Sequence, residues 1–324
     1  MSKKSKEEKK DLKSSLLVLL LIAILLIAST YAWFTANRTV TISSLEVNVQ
    51  ASNGLQISTD AVNWKAVITS DDILTGAYDG NVNQIPTSMV PMSTDGTVTS
   101  GTMNMFLGTM APISTVGDPN YGEYALTASQ ETDADQVGRY IVFDIFLKAD
   151  EPMDLTLTND STVVATNPEN DKGLQNAARV AFVNEGNVAE TAASSALTLM
   201  NGTESTVWEP NAGSHTEEAI ANNPYGGTIT DGQQVTYYGV KAEIDTPILR
   251  GTINDGTDNT HFGTVTNLVK TNTGAAETAN FLSIQAGITK VRVYMWVEGQ
   301  DVDCDNSASG TDITFNVQFN APEA

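Results

Sequence analysis

From residue 40 onward apolar and polar side chains alternate. Val40, Ile42, Leu45, Val47 and Val49 keep the pattern, with one break at Ser43-Ser44. Successive side chains of a strand point to opposite faces, so period two predicts a half-buried strand, kinked or bulged at the break. Asn53-Gly54 follows, a pair suited to the positive φ angles of a tight hairpin, and then Leu55-Gln56-Ile57-Ser58. Alternation returns at 154–158 and 311–319, and 138–148 and 288–297 read as long strands. The mixture of continuous and alternating apolar residues in 138–148 suggests a central position in the core.

Further strands are expected at 62–68, 121–128, 179–183, 234–240 and 281–284, with short helices at 172–178 and 217–221. Residues 70–135 are punctuated by Gly, Pro, Asn and Asp and read as loop-rich. Residues 184–233 hold few large apolar side chains and read as a long surface insertion. Eight or more strands without a strand–helix–strand rhythm predict an all-β fold, an antiparallel β-sandwich with long polar loops. A jelly roll or related Greek key is the first choice of topology. No repeat and no Pro/Gly linker divides 33–324, which is read as one domain.

The most apolar stretch, 14–34, sits behind Lys3, Lys4, Lys6, Lys9, Lys10 and Lys13. A basic head at 1–13, an apolar run at 16–28 and small residues after it have the form of an export signal. Counted on to Phe34, the stretch approaches the roughly 20 residues a spanning helix needs. A cleaved signal peptide over 14–32 and an uncleaved membrane anchor are both open. In either case the lysines stay in the cytoplasm and the remainder is delivered outside. Cleavage after Ala32 would leave small residues at the two positions a signal peptidase reads, Ala32 and Thr30, with Trp33 as the new N-terminus.

Charge narrows the partners. The chain carries a formal charge of −22, and six lysines and three acids lie in the first 32 residues. The exported part therefore holds 11 basic and 36 acidic residues, about −25. Such a surface repels nucleic acid and anionic lipid. Cys304 is the single cysteine, so no disulfide can form within the chain, and acidic neighbours depress its reactivity. Asn37, Asn159 and Asn201 open glycosylation triplets of a kind common by chance in Asn/Thr-rich chains.

Thr30-Tyr31-Ala32-Trp33-Phe34-Thr35 resembles the junction of the TasA/camelysin family of exported Firmicutes proteins, and a β-alternating run begins directly after it. The segment from Phe281 through Gly287 to Gly299 is a looser, second similarity. The resemblance implies a jelly-roll-like sandwich, processing by a dedicated signal peptidase, and a secreted fibre or biofilm-matrix subunit. It covers the two ends of the chain and leaves 184–280 unassigned. It also implies that residues 33–49 add as a strand to the next subunit, with Trp33, Phe34, Val40 and Ile42 as anchors. The plainer alternative makes 37–49 the first strand of its own sandwich.

One loop carries candidate chemistry. Asp301, Asp303, Asp305, Ser309 and Asp312 fall at positions 1, 3, 5, 9 and 12 of a calcium-binding EF-hand loop. Asn306 stands where that loop needs Gly, and Asp312 is shorter than the usual Glu, so a solvated hairpin loop is the competing reading. No cofactor other than calcium is suggested. Camelysin has been classed as a metallopeptidase, yet the chain has no His-Glu-x-x-His, and His215 and His261 stand far apart. No Gly-x-Ser-x-Gly occurs either. The sequence is therefore read as an exported, non-enzymatic structural subunit that self-associates. A membrane-anchored surface protein with a binding ectodomain is the alternative, and a metallopeptidase the third.

Overall fold

The computed structural model describes residues 40–49, 54–76, 78–131, 139–221, 228–249, 258–272, 280–305, 308 and 310–321. The hydrophobic segment 14–32 and the junction residues Thr30, Ala32, Trp33 and Phe34 lie outside them. Among the described residues no helix is long and apolar enough to cross a membrane.

The chain is mostly strand. Its first third holds β1 (Val40–Val49), β2 (Gln56–Ser58), β3 (Val67–Thr69), β4 (Ser88–Met89) and β5 (Val98–Thr99). Then come β6 (Thr102–Met103), β7 (Phe106–Pro112) and β8 (Tyr124–Gln130). The middle supplies β9 (Ile141–Ala149), β10 (Met153–Leu157), β11 (Thr162–Ala165), β12 (Ala178–Val188) and β13 (Ser205–Glu209). The last third supplies β14 (Tyr238–Val240), β15 (Ile244–Leu249), β16 (Phe262–Thr264) and β17 (Leu268–Lys270). It closes with β18 (Leu282–Ile284), β19 (Gly287–Val297) and β20 (Asp312–Asn320).

Two large sheets dominate. A seven-stranded sheet runs β18-β10-β20-β1-β3, with β11 also on β20 and β4 on β1. A six-stranded sheet runs β17-β13-β12-β19-β9-β2. Their inner faces meet in one apolar cluster. Leu45, Val47, Phe315, Val317 and Phe319 come from the first sheet, and Phe143, Ile145, Phe182, Val291 and Val293 from the second. The hairpin β7–β8 joins β15 in a smaller sheet with its own apolar cluster around Phe106, Leu126 and Phe262.

Antiparallel pairing, expected throughout, holds for most strand pairs but not all. β1 lies parallel to β20, with Leu45 beside Phe315 and Val47 beside Val317. β13 lies parallel to β17. Antiparallel order follows from hairpins joining neighbours, and β1 and β20 are joined only through the whole intervening chain. The β1–β20 register shifts between Ile42 and Ser44, at the break in alternation. Gly54 has the left-handed φ of +76 that a tight turn favours, but the hairpin expected there does not form. β1 lies in the seven-stranded sheet and β2 pairs with β9 in the six-stranded one, so the turn carries the chain between sheets.

The burial patterns explain the two kinds of sequence signal. β20 alternates buried and half-buried positions, so only one of its faces is covered. β9 and β19 are buried on both faces. The outer face of the six-stranded sheet is roofed by the 82–107 region, where Met92, Met103 and Met105 pack on Tyr140, Val142, Tyr294 and Trp296. The described residues within 184–233 hold more regular structure than their composition suggests. β12 continues to Val188, and β13 places Trp208, 2% exposed, in the main core.

Candidate functional site

Val40 is fully buried in the main core, and Ile42 packs half-buried against it. Of the anchoring residues inferred for strand donation, these two therefore sit in the chain's own sheet, while Trp33 and Phe34 lie outside the described residues.

The acidic loop after β19 is folded inward rather than solvated. Asp301, Asp303 and Asp305 are 7%, 1% and 4% exposed. Asp301 Oδ2 accepts a short hydrogen bond from Arg179. Asp303 Oδ2 faces His215 Nδ1 at 2.7 Å, and its Oδ1 accepts from the Thr216 amide at 2.9 Å. Asp305 Oδ1 accepts from the Ala308 amide at 3.1 Å. Two of the carboxylates expected to hold calcium are thus met by cationic side chains. Asp312 opens β20 exposed, and Ser309 lies outside the described residues. Among the described residues no cluster of three His, Cys, Asp or Glu side chains is placed to hold a metal ion. Cys304 is buried in the main core, where burial and then Asp301 and Glu298 push its thiol well above the ordinary range.

Behind the loop lies a buried ionic network on the outer face of the six-stranded sheet. Arg179 of β12 is fully buried; its guanidinium reaches Glu209 at 3.1 Å and donates to the carbonyls of Asn176 and Ala178 at 3.0 and 2.9 Å. It also lies 4.7 Å over the ring of Tyr237. Burial works against its charge, but Glu209 and Asp301 outweigh that and hold its pKa well above the ordinary value. Glu298, also fully buried, accepts from Trp296 Nε1 at 3.1 Å and from the Gln300 amide at 3.0 Å. Desolvation raises its carboxyl to about 7, with the Ser93, Trp296 and Gln300 hydrogen bonds pulling the other way.

His215 connects this network to a surface cleft. The cleft, about 640 Å³, is walled by Val163 to Ala165, Asp171, Gln175, Asn211, Ser214 and Asp231, among others. The ring is committed on both sides. Nδ1 faces the Asp303 carboxylate, and Nε2 lies 2.8 Å from the Gln233 carbonyl, which can only accept. Both nitrogens therefore carry protons. Burial opposes that charge, but Asp303 outweighs it and raises the pKa to about 9. Burial likewise raises Asp303 above the usual carboxylate range. An imidazolium held this way has no free nitrogen to accept a proton from Ser214 or from a bound water. It clasps the 211–221 segment to the 301–305 loop.

A second ionic cluster sits on the same sheet face. Arg292 of β19 forks onto Asp144 of β9 at 2.9 and 3.1 Å. Lys290 Nζ stands 3.2 Å from the same carboxylate, and Tyr78 donates its hydroxyl to it at 2.6 Å. Burial pushes Asp144 up, but Arg292 and Lys290 hold it below the ordinary carboxylate value. Glu185 is buried nearby, with Oε2 accepting from the Gly202 amide at 3.0 Å, and desolvation raises its pKa.

Sequence reasoning picked out Asp301 and Asp303 but missed their partners Arg179 and His215, and missed Asp144, Lys290, Arg292 and Glu298. A signal was present: single charges interrupt otherwise apolar strands, as in Ile141-Val142-Phe143-Asp144-Ile145-Phe146. Charged residues are almost never fully buried unless paired, so such an interruption calls for a partner across the sheet. No family model, curated protein or solved structure matches this chain.

Proposed function

We propose that this protein is an exported, non-enzymatic structural subunit, resembling the TasA/camelysin family, with a jelly-roll-like sandwich that assembles through its mature N-terminal strand. The observation that carries the reading is the place of β1. It fills a slot between β20 on one side and β3 and β4 on the other, pairing along nearly the whole of β20. A strand near the N-terminus that completes a sheet it is not hairpin-joined to is the type of element that copies of a chain can exchange or extend. The segment 33–39, which leads directly into β1, is the part that reaches a neighbour, and Trp33 and Phe34 are its apolar anchors.

The exported protein should begin at Trp33 by mass and form filaments by electron microscopy. Deleting 33–39 leaves β1 whole, so the variant should keep its melting transition and lose filaments. Undiminished filaments from that variant would overturn strand-mediated assembly. Recovery of the chain in the membrane fraction with 14–32 intact would instead favour a tethered surface protein.

A further inference from the structure

Among the described lysines only Lys290 is buried, and its burial has a specific geometry. The Lys290 and Asp144 side chains are 2% and 0% exposed, with Nζ 3.2 Å from Oδ2. They stand diagonally on neighbouring strands: β19 sets Arg292 opposite Asp144 and Lys290 opposite Phe146. A long side chain spans such a diagonal without strain. Nζ is further held by the Leu197 carbonyl at 2.9 Å and lies 5.7 Å from the Tyr78 ring. Nζ is thus buried and held from three sides, by Asp144, the Leu197 carbonyl and the Tyr78 ring.

Holding both charges there is costly, because desolvation of a buried ion pair commonly exceeds its Coulombic gain. We propose that Lys290 and Asp144 join as an intramolecular amide, a covalent link between β9 and β19. The ammonium first passes one proton to Oδ2, giving the neutral amine and acid. This transfer runs uphill, because Arg292 and Lys290 hold Asp144 ionised, and burial of Lys290 offsets part of its cost. Nζ then attacks Cγ. The C–N bond forms and the C–O bond to the protonated oxygen breaks. A second nitrogen proton leaves with that oxygen as water, and the third stays on the amide. No oxidant, reductant or co-reactant enters.

The surrounding groups suit each step. Arg292 and Tyr78 already donate to both carboxylate oxygens, where negative charge gathers as the tetrahedral centre forms. Contact distance and fixed orientation supply the proximity that amide formation between free groups lacks. Burial holds Lys290 below its ordinary pKa, which favours the free amine. Afterwards the site has lost one charge of each sign, and Arg292 keeps the buried Glu185 as a counter-ion, so the cluster stays neutral.

Mass spectrometry of the purified protein tests this directly. The intact chain should be one water lighter than its sequence, and a digest should contain a branched peptide joining the Asp144 and Lys290 fragments. Lys290→Met, an apolar replacement of similar length, should restore the full sequence mass. Wild-type protein at full mass, or a water loss mapped to any other pair, overturns the link. The wild-type measurement decides even where the variant does not fold.

Discussion

The two large sheets share one core yet solve their outer faces in opposite ways. The seven-stranded sheet leaves its outer face open, and neutral polar side chains there pair across strands. Ser44 donates to Thr314 at 3.2 Å, Asn48 to Asn316 at 3.1 Å and Thr158 to Gln318 at 2.7 Å. The six-stranded sheet is roofed, and its outer face carries the charged residues Arg179, Glu185, Asp144, Lys290 and Arg292 away from water. Polar groups on the first sheet can exchange a lost partner for water. Those on the second cannot. A chain with 39 acidic residues has thus placed its tightest charge pairing where solvent does not screen it.

Substitutions on the two faces should therefore differ by an order of magnitude. Asp144→Ala strands Arg292 and Lys290 and should cost about 3–5 kcal/mol in urea unfolding. A loss below about 1 kcal/mol would mean that the roof admits water and that the contrast between the sheets is false.

Glu298→Gln should act in the other direction. The folded-state pKa of Glu298, about 7, lies above its ordinary value of 4.5, so the folded protein holds that proton more tightly. The resulting stability is complete below pH 4.5 and lost as pH rises through 7. At pH 8 the amide variant should be more stable than wild type by roughly 1–3 kcal/mol, with a flatter stability profile between those limits. Equal profiles would place Glu298 in contact with water.

His215→Gln should remove a second phase, at higher pH. With a folded pKa of about 9 against an ordinary 6.5, His215 stabilises fully below pH 6.5, and that contribution disappears as pH rises through 9. The variant should be less stable at pH 6 by about 1–2 kcal/mol and should lose the alkaline decline in melting temperature. An unchanged decline would show that the clasp to Asp303 is not what titrates. The smallest effect is expected from Asn48→Ala on the open face, roughly 0.2–1 kcal/mol. A larger loss would mean that this face is covered.

The open-faced sheet was the more legible of the two. Ile313, Phe315, Val317 and Phe319 give its period directly, because one wet face forces alternation. The long apolar run of β9 gave its centrality too, but not what roofs it. The two-residue strands β4, β5 and β6 carry no pattern of their own and are set by what they pack on. β13 was hidden because its Ser205-Thr206-Val207-Trp208-Glu209 lies among Asn, Thr and Gly, and only a burial pattern marks it as core. At the site, Asp301 and Asp303 were visible as a spaced carboxylate run. Their cations come from Arg179 and His215, far away in sequence, and the same spacing serves a metal or a set of ion pairs equally well. The parallel union of β1 with β20 is a fact of topology that no local window contains.

That union has a consequence for how the chain acquires its shape. Ser44 meets Thr314 across a separation of 270 residues, and the pairing continues to Val49 and Phe319. Contacts so distant in sequence form late and slowly, because almost the entire chain must be ordered to close them. A polypeptide synthesised N-terminus first cannot complete this sheet until its last strand has been made. The fold therefore locks only when β20 is in place, and a chain cut short before β20 leaves the slot beside β1 empty.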